Sequence, residues 1–131
     1  MLSPDSRRGE VLLQASTDLT FACPAGVVAA ARARAGYPTW QYEFDYALPG
    51  QKVSHSSEIR FVMGAPGNFP PGAPPLHLYW INFARTGDPN GAGLPVWQPY
   101  APGARYLSFQ DSRIEMRQDL RGDICRLRNL P

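Results

Sequence analysis

A chain of 131 residues with 44% hydrophobic residues is long enough to bury one core and too apolar to be wholly disordered. Its net charge of +2 is small and dispersed, which gives no basis for binding nucleic acid or an anionic membrane. No uninterrupted apolar run approaches the roughly 20 residues of a membrane span, and the polar N-terminus with Pro4 does not form a signal peptide.

The N-terminal half predicts a helix followed by a strand. Pro24 suits the first turn of a helix, because its missing N–H would have no partner there, and the run that follows is rich in Ala and Arg. We therefore predict a helix over Pro24–Ala35, ended by Gly36. Residues Pro38–Tyr46 then alternate between aromatic and polar side chains, which predicts a strand with one apolar face. That aromatic face holds Trp40, Tyr42, Phe44 and Tyr46, and the polar face holds Gln41, Glu43 and Asp45.

The C-terminal half predicts a loop, helices and one more strand. Ala47–Ser57 is a predicted loop, and a short helix can begin within Ser57–Val62. The apolar spacing over Leu76–Thr86 predicts a second full helix. Tyr106–Phe109 predicts a short strand, and Ile114–Leu127 predicts an amphipathic C-terminal helix.

The predicted order of helix, strand, loop, helix, strand and helix fits part of an α/β fold. Two strands alone would leave unpaired edges and an uncovered aromatic face, so this interpretation requires further strands. A small autonomous α+β domain is the alternative, and the pattern by itself leaves both open.

Four ordered stretches are similar to one known family. They are Thr17–Pro24, Thr39–Tyr46, His55–Gly64 and Trp80–Asn90, the last continued by Leu94–Trp97 and Tyr100. The run Trp-Ile-Asn-Phe-Ala-Arg-Thr-Gly-Asp-Pro-Asn is the most specific of them, because its residues match in order. Together they resemble the type-B carboxylesterase family, which includes the cholinesterases, over residues 17–130.

This resemblance implies that residues 1–131 are a C-terminal part of an α/β-hydrolase fold with an incomplete sheet. In that superfamily the catalytic triad follows the order serine, acid, histidine. His55 matches the family's histidine, so most of the sheet would lie upstream of this chain.

The same resemblance gives candidate site residues. His55 would take the proton of a serine hydroxyl and return it to the leaving alcohol, for which an unperturbed imidazole pKa of about 6.5 is suited. Glu58 matches a family glutamate that would brace the loop, and Asp18 matches a recurrent aspartate near the histidine. From the residues alone, a lone loop histidine is more often structural, and Asp18 can equally be a loop or helix-start aspartate.

The remaining aromatic and histidine side chains have structural interpretations. His77 has no family match and is expected on a solvated helix face. We expect three further aromatic side chains in the core: Trp80, Phe83 and Trp97.

No residue of this chain matches the nucleophile or the acid. A nucleophilic serine requires a strained Gly-x-Ser-x-Gly turn, and no serine in the sequence has that context. We therefore expect the chain alone to be inactive, with a small-molecule carboxylic ester as substrate only if other polypeptide, such as a complementing chain, completes the site. A non-catalytic interaction module and a truncated gene product are the alternatives. No cofactor is implied, and no metal-ligand spacing is found.

The only two cysteines are Cys23 and Cys125, which by themselves could equally be buried free thiols. The resemblance places them at positions bridged in the cholinesterase branch, so we expect a disulfide between them. An oxidising compartment, periplasmic or extracellular, is then expected for the parent protein, although this chain carries no signal peptide.

Overall fold

Helices pack around a small sheet in this protein. The computed structural model describes residues 3–127, and within that range the chain forms five α-helices and three strands. The helices are α1 Val11–Thr17, α2 Cys23–Arg34, α3 Ile59–Met63, α4 Leu76–Thr86 and α5 Gly122–Leu127. The strands are β1 Tyr42–Asp45, β2 Arg105–Gln110 and β3 Ile114–Gln118. A π-helical turn, Asp18–Ala22, joins α1 to α2, and a 3₁₀ turn, Pro66–Asn68, follows α3.

The sheet has the strand order β1-β2-β3 and is open at β1. β1 runs parallel to β2, with Tyr42 opposite Leu107, whereas β2 and β3 pair antiparallel. Within residues 3–127, β1 pairs only with β2, so its other edge is unpaired. Strands of parallel sheets are normally continued and covered, because an open edge presents bare backbone N–H and C=O groups. The predicted incomplete sheet of an α/β fold is therefore confirmed.

The core consists largely of aromatic side chains from β1, α3, α4 and β2. The predicted alternation in β1 is confirmed, because its aromatic face packs against this core. Tyr79 of α4 and Phe109 of β2 are fully buried and meet edge-to-face, with ring centroids 5.6 Å apart. Such contacts add to the burial of apolar surface and fix β2 against α4. α4 itself has the predicted bounds and ends at Gly87, whose φ of 78° closes the helix.

The prediction of one helix over Ile114–Leu127 is wrong in its first half. Ile114 and Met116 alternate with polar residues, and this period of two pairs the segment with β2 as strand β3. Positive φ angles at Asp119 (57°) and Arg121 (55°) then interrupt regular structure, so that only the short helix α5 follows.

Helix α1 is not predicted from the sequence, and with α2 it forms one continuous helical stretch, Val11–Arg34. By length and composition alone, this stretch would be long and apolar enough to cross a membrane, although the sequence has no uninterrupted apolar run of that length. Two interactions connect the middle of this stretch to the rest of the protein: an ion pair from Asp18 to Arg121 and a disulfide at Cys23. Several large apolar side chains of the stretch are exposed: Leu12, Leu13, Leu19, Phe21, Val27 and Val28.

The expected disulfide between Cys23 and Cys125 is confirmed. It joins the first residue of α2 to α5, with the two Cα atoms 5.3 Å apart. The bridge spans a sequence separation of 102 residues and thus connects the beginning of the fold to its final helix.

Candidate active site

An open cavity of about 930 Å³ lies along the unpaired edge of β1. We call it the β1-edge cavity; it is bounded by residues 38–45, by Phe21 and neighbouring residues of the long helical stretch, and by α4. Helices thus flank the cavity on both sides, while the cavity itself occupies the layer of the sheet. A further strand paired with β1 would lie about 4.8 Å from it, which is within this cavity.

Two aromatic residues expected in the core instead border this cavity. Trp80 and Phe83 of α4 are 42% and 46% exposed, whereas Trp97 is buried as expected. The prediction for the first two is wrong for this chain because the layer that would cover them is not part of residues 3–127.

His55 lies at the rim of the β1-edge cavity, on the loop between β1 and α3. Its exposed imidazole stacks on the ring of Phe21, with centroids 3.6 Å apart and planes inclined by 6°. Ser56, with a φ of 70°, reverses the backbone directly after it. One face of the imidazole is therefore covered by an aromatic ring, and its edge remains accessible to a reactant.

Glu58 connects the end of this loop to the sheet. The Tyr42 hydroxyl of β1 donates a hydrogen bond to the Glu58 carboxylate. Burial, and secondarily the negative charge of Glu58, raise the pKa of Tyr42 well above its usual range, so the phenol stays a donor. The start of α3 is thereby held against β1.

Asp18 is buried in the π-helical turn and belongs to a network of charges on the polar face of β1. Arg121 donates from Nε to Asp18 (3.1 Å) and from Nη2 to Glu43 (2.8 Å). Arg8 extends the network, since its Nη2 lies 3.3 Å from Glu43 and 2.8 Å from Asp45. Burial lowers the pKa of Arg8, but the Asp45 and Glu43 carboxylates outweigh it and the pKa is raised overall. Arg8 therefore remains cationic between these acids.

The structure thus places the predicted supporting residue Asp18 in this charge network. Within residues 3–127 its carboxylate accepts from Arg121 and makes no hydrogen bond with His55. Its turn, however, also carries Phe21, which stacks on the imidazole. Sequence reasoning missed Arg8 and Arg121, although two acids on the polar face of a buried strand require cationic partners.

Arg121→Met should destabilise the chain by about 3 kcal/mol, because it leaves Asp18 buried without its cation and Glu43 with Arg8 alone. The midpoint of urea unfolding measures this loss. In an Asp18→Asn background the same substitution should cost less, since one of the two charges is already gone.

Arg113→Met is the matched control, because Arg113 pairs with Glu115 on an exposed surface (58% and 34% exposed side chains). Such pairs contribute little to stability, so the midpoint should barely move. Equal shifts of the unfolding midpoint for Arg121→Met and Arg113→Met would show that the buried network stabilises the chain no more than an exposed ion pair does.

His77 is half-buried, so the expectation of a solvated position is wrong. Its ring packs edge-on against Phe69 (centroids 5.2 Å apart), and its Nδ1 is buried without a hydrogen-bond partner among residues 3–127. Of the two histidines in the sequence, His55 is thus the one that borders the β1-edge cavity. No group of three or more His, Cys, Asp or Glu side chains suited to a metal ion is found in the described range.

Comparison with known proteins identifies the family. The model of the carboxylesterase family matches residues 3–128. Carboxylesterase 5A of Canis lupus familiaris is 37% identical over 127 residues, covering 79% of this chain and 22% of that protein. Carboxylesterase 4A of Bos taurus is 36% identical over 112 residues, covering 75% and 20%.

A solved structure agrees with the sequence matches. The crystal structure of a carboxylesterase from Geobacillus stearothermophilus superposes with a TM-score of 0.55 and 35% identity, covering 73% of this chain and 23% of that one. This chain spans about a fifth of the length of the curated relatives named above. The match over nearly all of its residues shows that the chain belongs to the carboxylesterase family, as a fragment of an α/β-hydrolase fold.

Proposed function

We propose that this chain is the histidine-bearing part of a serine carboxylic-ester hydrolase, with His55 as the general base, and that it is inactive alone. The position of His55 carries the proposal: the residue lies at the rim of a cavity that follows the open edge of the sheet. A serine and an acid delivered by further polypeptide at that edge would meet the imidazole there.

The chemistry requires one imidazole to move protons in both directions. One ring nitrogen of His55 takes the proton from the serine hydroxyl as the oxygen attacks the ester carbonyl. The imidazolium then gives that proton to the leaving alkoxide, which departs as the alcohol. In the second half, His55 takes a proton from water and returns it to the serine oxygen as the acid is released. The stack on Phe21 supports this role because it restricts the plane of the ring.

The remaining polypeptide would join at β1. A strand parallel to β1 would pair with its open edge, and its side chains would point alternately to the helices on either side. Such a strand would cover Trp80 and Phe83, which are half-exposed. The partner is therefore the rest of a carboxylesterase domain, in the same polypeptide or in a complementing chain, and the substrate is a small carboxylic ester.

The isolated chain should hydrolyse p-nitrophenyl acetate about as slowly as its His55→Ala variant and should not react with a fluorophosphonate probe. Any accessible imidazole slowly catalyses hydrolysis of this ester, so each histidine can contribute to the background rate. The comparison must therefore be between variants that each lack one histidine. Turnover that disappears in His55→Ala but persists in His77→Ala would contradict the predicted inactivity.

A hybrid enzyme tests the function itself. In it, this chain replaces the aligned segment of the Geobacillus stearothermophilus carboxylesterase, whose 35% identity makes exchange realistic. We expect a hybrid that hydrolyses the ester and is labelled by the fluorophosphonate at its serine. A hybrid that folds with the secondary structure of the parent enzyme but is neither active nor labelled would refute the proposal.

A further inference from the structure

A tight turn near the N-terminus packs against the loop that carries His55. This N-terminal turn, Asp5–Gly9, is closed by two backbone hydrogen bonds, from Asp5 N to Gly9 O (3.1 Å) and from Gly9 N to Asp5 O (2.7 Å). The Asp5 carboxylate also accepts from the N–H groups of Arg7 (2.6 Å) and Arg8 (3.0 Å), which lower the pKa of Asp5. Buried Gln14 of α1 donates to Gly9 O (2.8 Å), so the turn is anchored to the helix.

Arg7 contacts the loop at its start and just before His55. Its guanidinium Nη2 donates to the carbonyl oxygen of Asp45 (2.6 Å), the residue where β1 ends and the loop begins. Its own carbonyl oxygen accepts from the N–H of Val53 (3.0 Å), which lies directly before Ser54 and His55. The loop is thus closed by a single residue that comes from a distant part of the chain.

Asp111 reinforces this closure. Its Oδ1 accepts from Arg7 Nη2 (2.9 Å) and from the backbone N–H of Ala47 (3.0 Å). Arg8, next in the chain, pairs with the Asp45 carboxylate at 2.8 Å. Where the loop leaves β1, both the backbone carbonyl and the carboxylate of Asp45 are therefore bound. The N–H of Ala47, two residues later, is bound as well.

We propose that Arg7 is a positioning residue for His55. Residues 46–58 contain no helix or strand, so their backbone would otherwise be free to sample many conformations, at about 1–2 kcal/mol of entropy per residue fixed. The contacts of Arg7 fix where the loop leaves β1 and fix its backbone two residues before His55, and this places the imidazole against Phe21. The inference rests on the proposed function, since it matters for catalysis only if His55 is the base.

Arg7→Met tests the positioning without any assay of activity. The chain has two histidines, so a His77→Gln background leaves His55 as the only source of imidazole signals in the proton NMR spectrum. In that background we expect ring-current-shifted His55 protons with nuclear Overhauser contacts to Phe21. Arg7→Met keeps the backbone hydrogen bond from Val53 but loses the guanidinium contacts to Asp45 and Asp111, so both signatures should weaken markedly. Contacts within the core, such as Tyr79 to Phe109, should stay unchanged. Arg7→Lys, which keeps a donor and the charge, should retain part of them.

Arg126→Met is the control, because Arg126 also forms two ion pairs but lies on α5. It should leave the His55 signals unchanged. The proposal is overturned if Arg7→Met preserves the contact of His55 with Phe21, or if it melts the core together with the loop, since that would be a general structural role.

The hybrid enzyme gives an independent readout. Arg7→Met should lower kcat about 10- to 100-fold, because a displacement of about 1 Å at a catalytic group can cost that much, while KM changes little. Arg7→Lys should restore most of the rate. If the hybrid stays active when His55 is replaced, while Arg7 still orders the loop in the NMR spectrum, the proposed function fails and the positioning role stands. If activity depends on His55 but Arg7→Met leaves kcat unchanged, only the positioning role is overturned.

Discussion

Replacing His55 with glutamine in the hybrid esterase should lower kcat by about four to six orders of magnitude, the range found when the histidine of a serine triad is removed. Glutamine keeps a polar side chain on the loop but cannot take the proton from the serine hydroxyl. The attack would then require a hydroxyl that is ionised only to a negligible extent at neutral pH. Steady-state turnover of p-nitrophenyl acetate and the rate of fluorophosphonate labelling should fall together, because both depend on an activated serine.

The control is His77→Gln, since His77 is the other histidine and packs beside Phe69 away from the cavity rim. Its kcat should remain close to that of the unsubstituted hybrid. Residual activity of His55→Gln within about tenfold of that hybrid would assign the base to another residue, because general-base catalysis alone contributes about 10²-fold or more.

The parts of the fold that the sequence predicts are those with a strong local period. The alternation of aromatic and polar side chains over Pro38–Tyr46 gives β1 and both of its faces, and the apolar spacing over Leu76–Thr86 gives α4 with its bounds. In both cases the buried face is decided within one element, so neighbours in sequence are sufficient. The disulfide is different, because only the family resemblance, and no local pattern, pairs Cys23 with Cys125.

The errors arise where tertiary contacts decide. Ile114–Gln118 is short and charged, and together with the apolar residues after it resembles an amphipathic helix, but pairing with β2 makes it a strand. Trp80 and Phe83 have the hydrophobicity of core residues, yet their exposure depends on a layer that this stretch of sequence does not contain. The network joining Asp18, Arg121 and Glu43 brings together residues distant in the chain, and nothing in their local sequence indicates which cation pairs with which acid.

The candidate site follows the same division. The sequence places His55 on a loop after an aromatic strand, as the structure does, because strand and loop are local features. It does not reveal Phe21 as the stacking partner or Arg7 as the residue that closes the loop. Both come from elements that precede β1 in the chain, and both act only once the long helical stretch has packed beside the sheet.

Removal of the Cys23–Cys125 disulfide should destabilise the chain by about 4–5 kcal/mol, the loop-entropy value for the closure of about 100 residues. The bridge spans 102 of the 131 residues, so it lowers the conformational entropy of the unfolded chain nearly as much as a single crosslink in this chain can. Without the bridge the unfolded chain regains that entropy. A domain of this size has about 5–15 kcal/mol of stability in total. An open sheet of three strands should lie at the low end of that range, so the loss would leave much of the population unfolded.

Cys23→Ala/Cys125→Ala, which introduces no buried polar group, should therefore unfold at a much lower urea concentration than the unsubstituted chain. Two controls separate the crosslink from packing at Cys23, which is buried. Dithiothreitol should lower the midpoint of the unsubstituted chain to nearly that of the double variant, and it should not affect the variant. Alkylation of the unreduced, denatured protein should leave its mass unchanged; labelled thiols would mean that the bridge is not formed, and an unaltered midpoint on reduction would mean that α2 and α5 hold the fold without it.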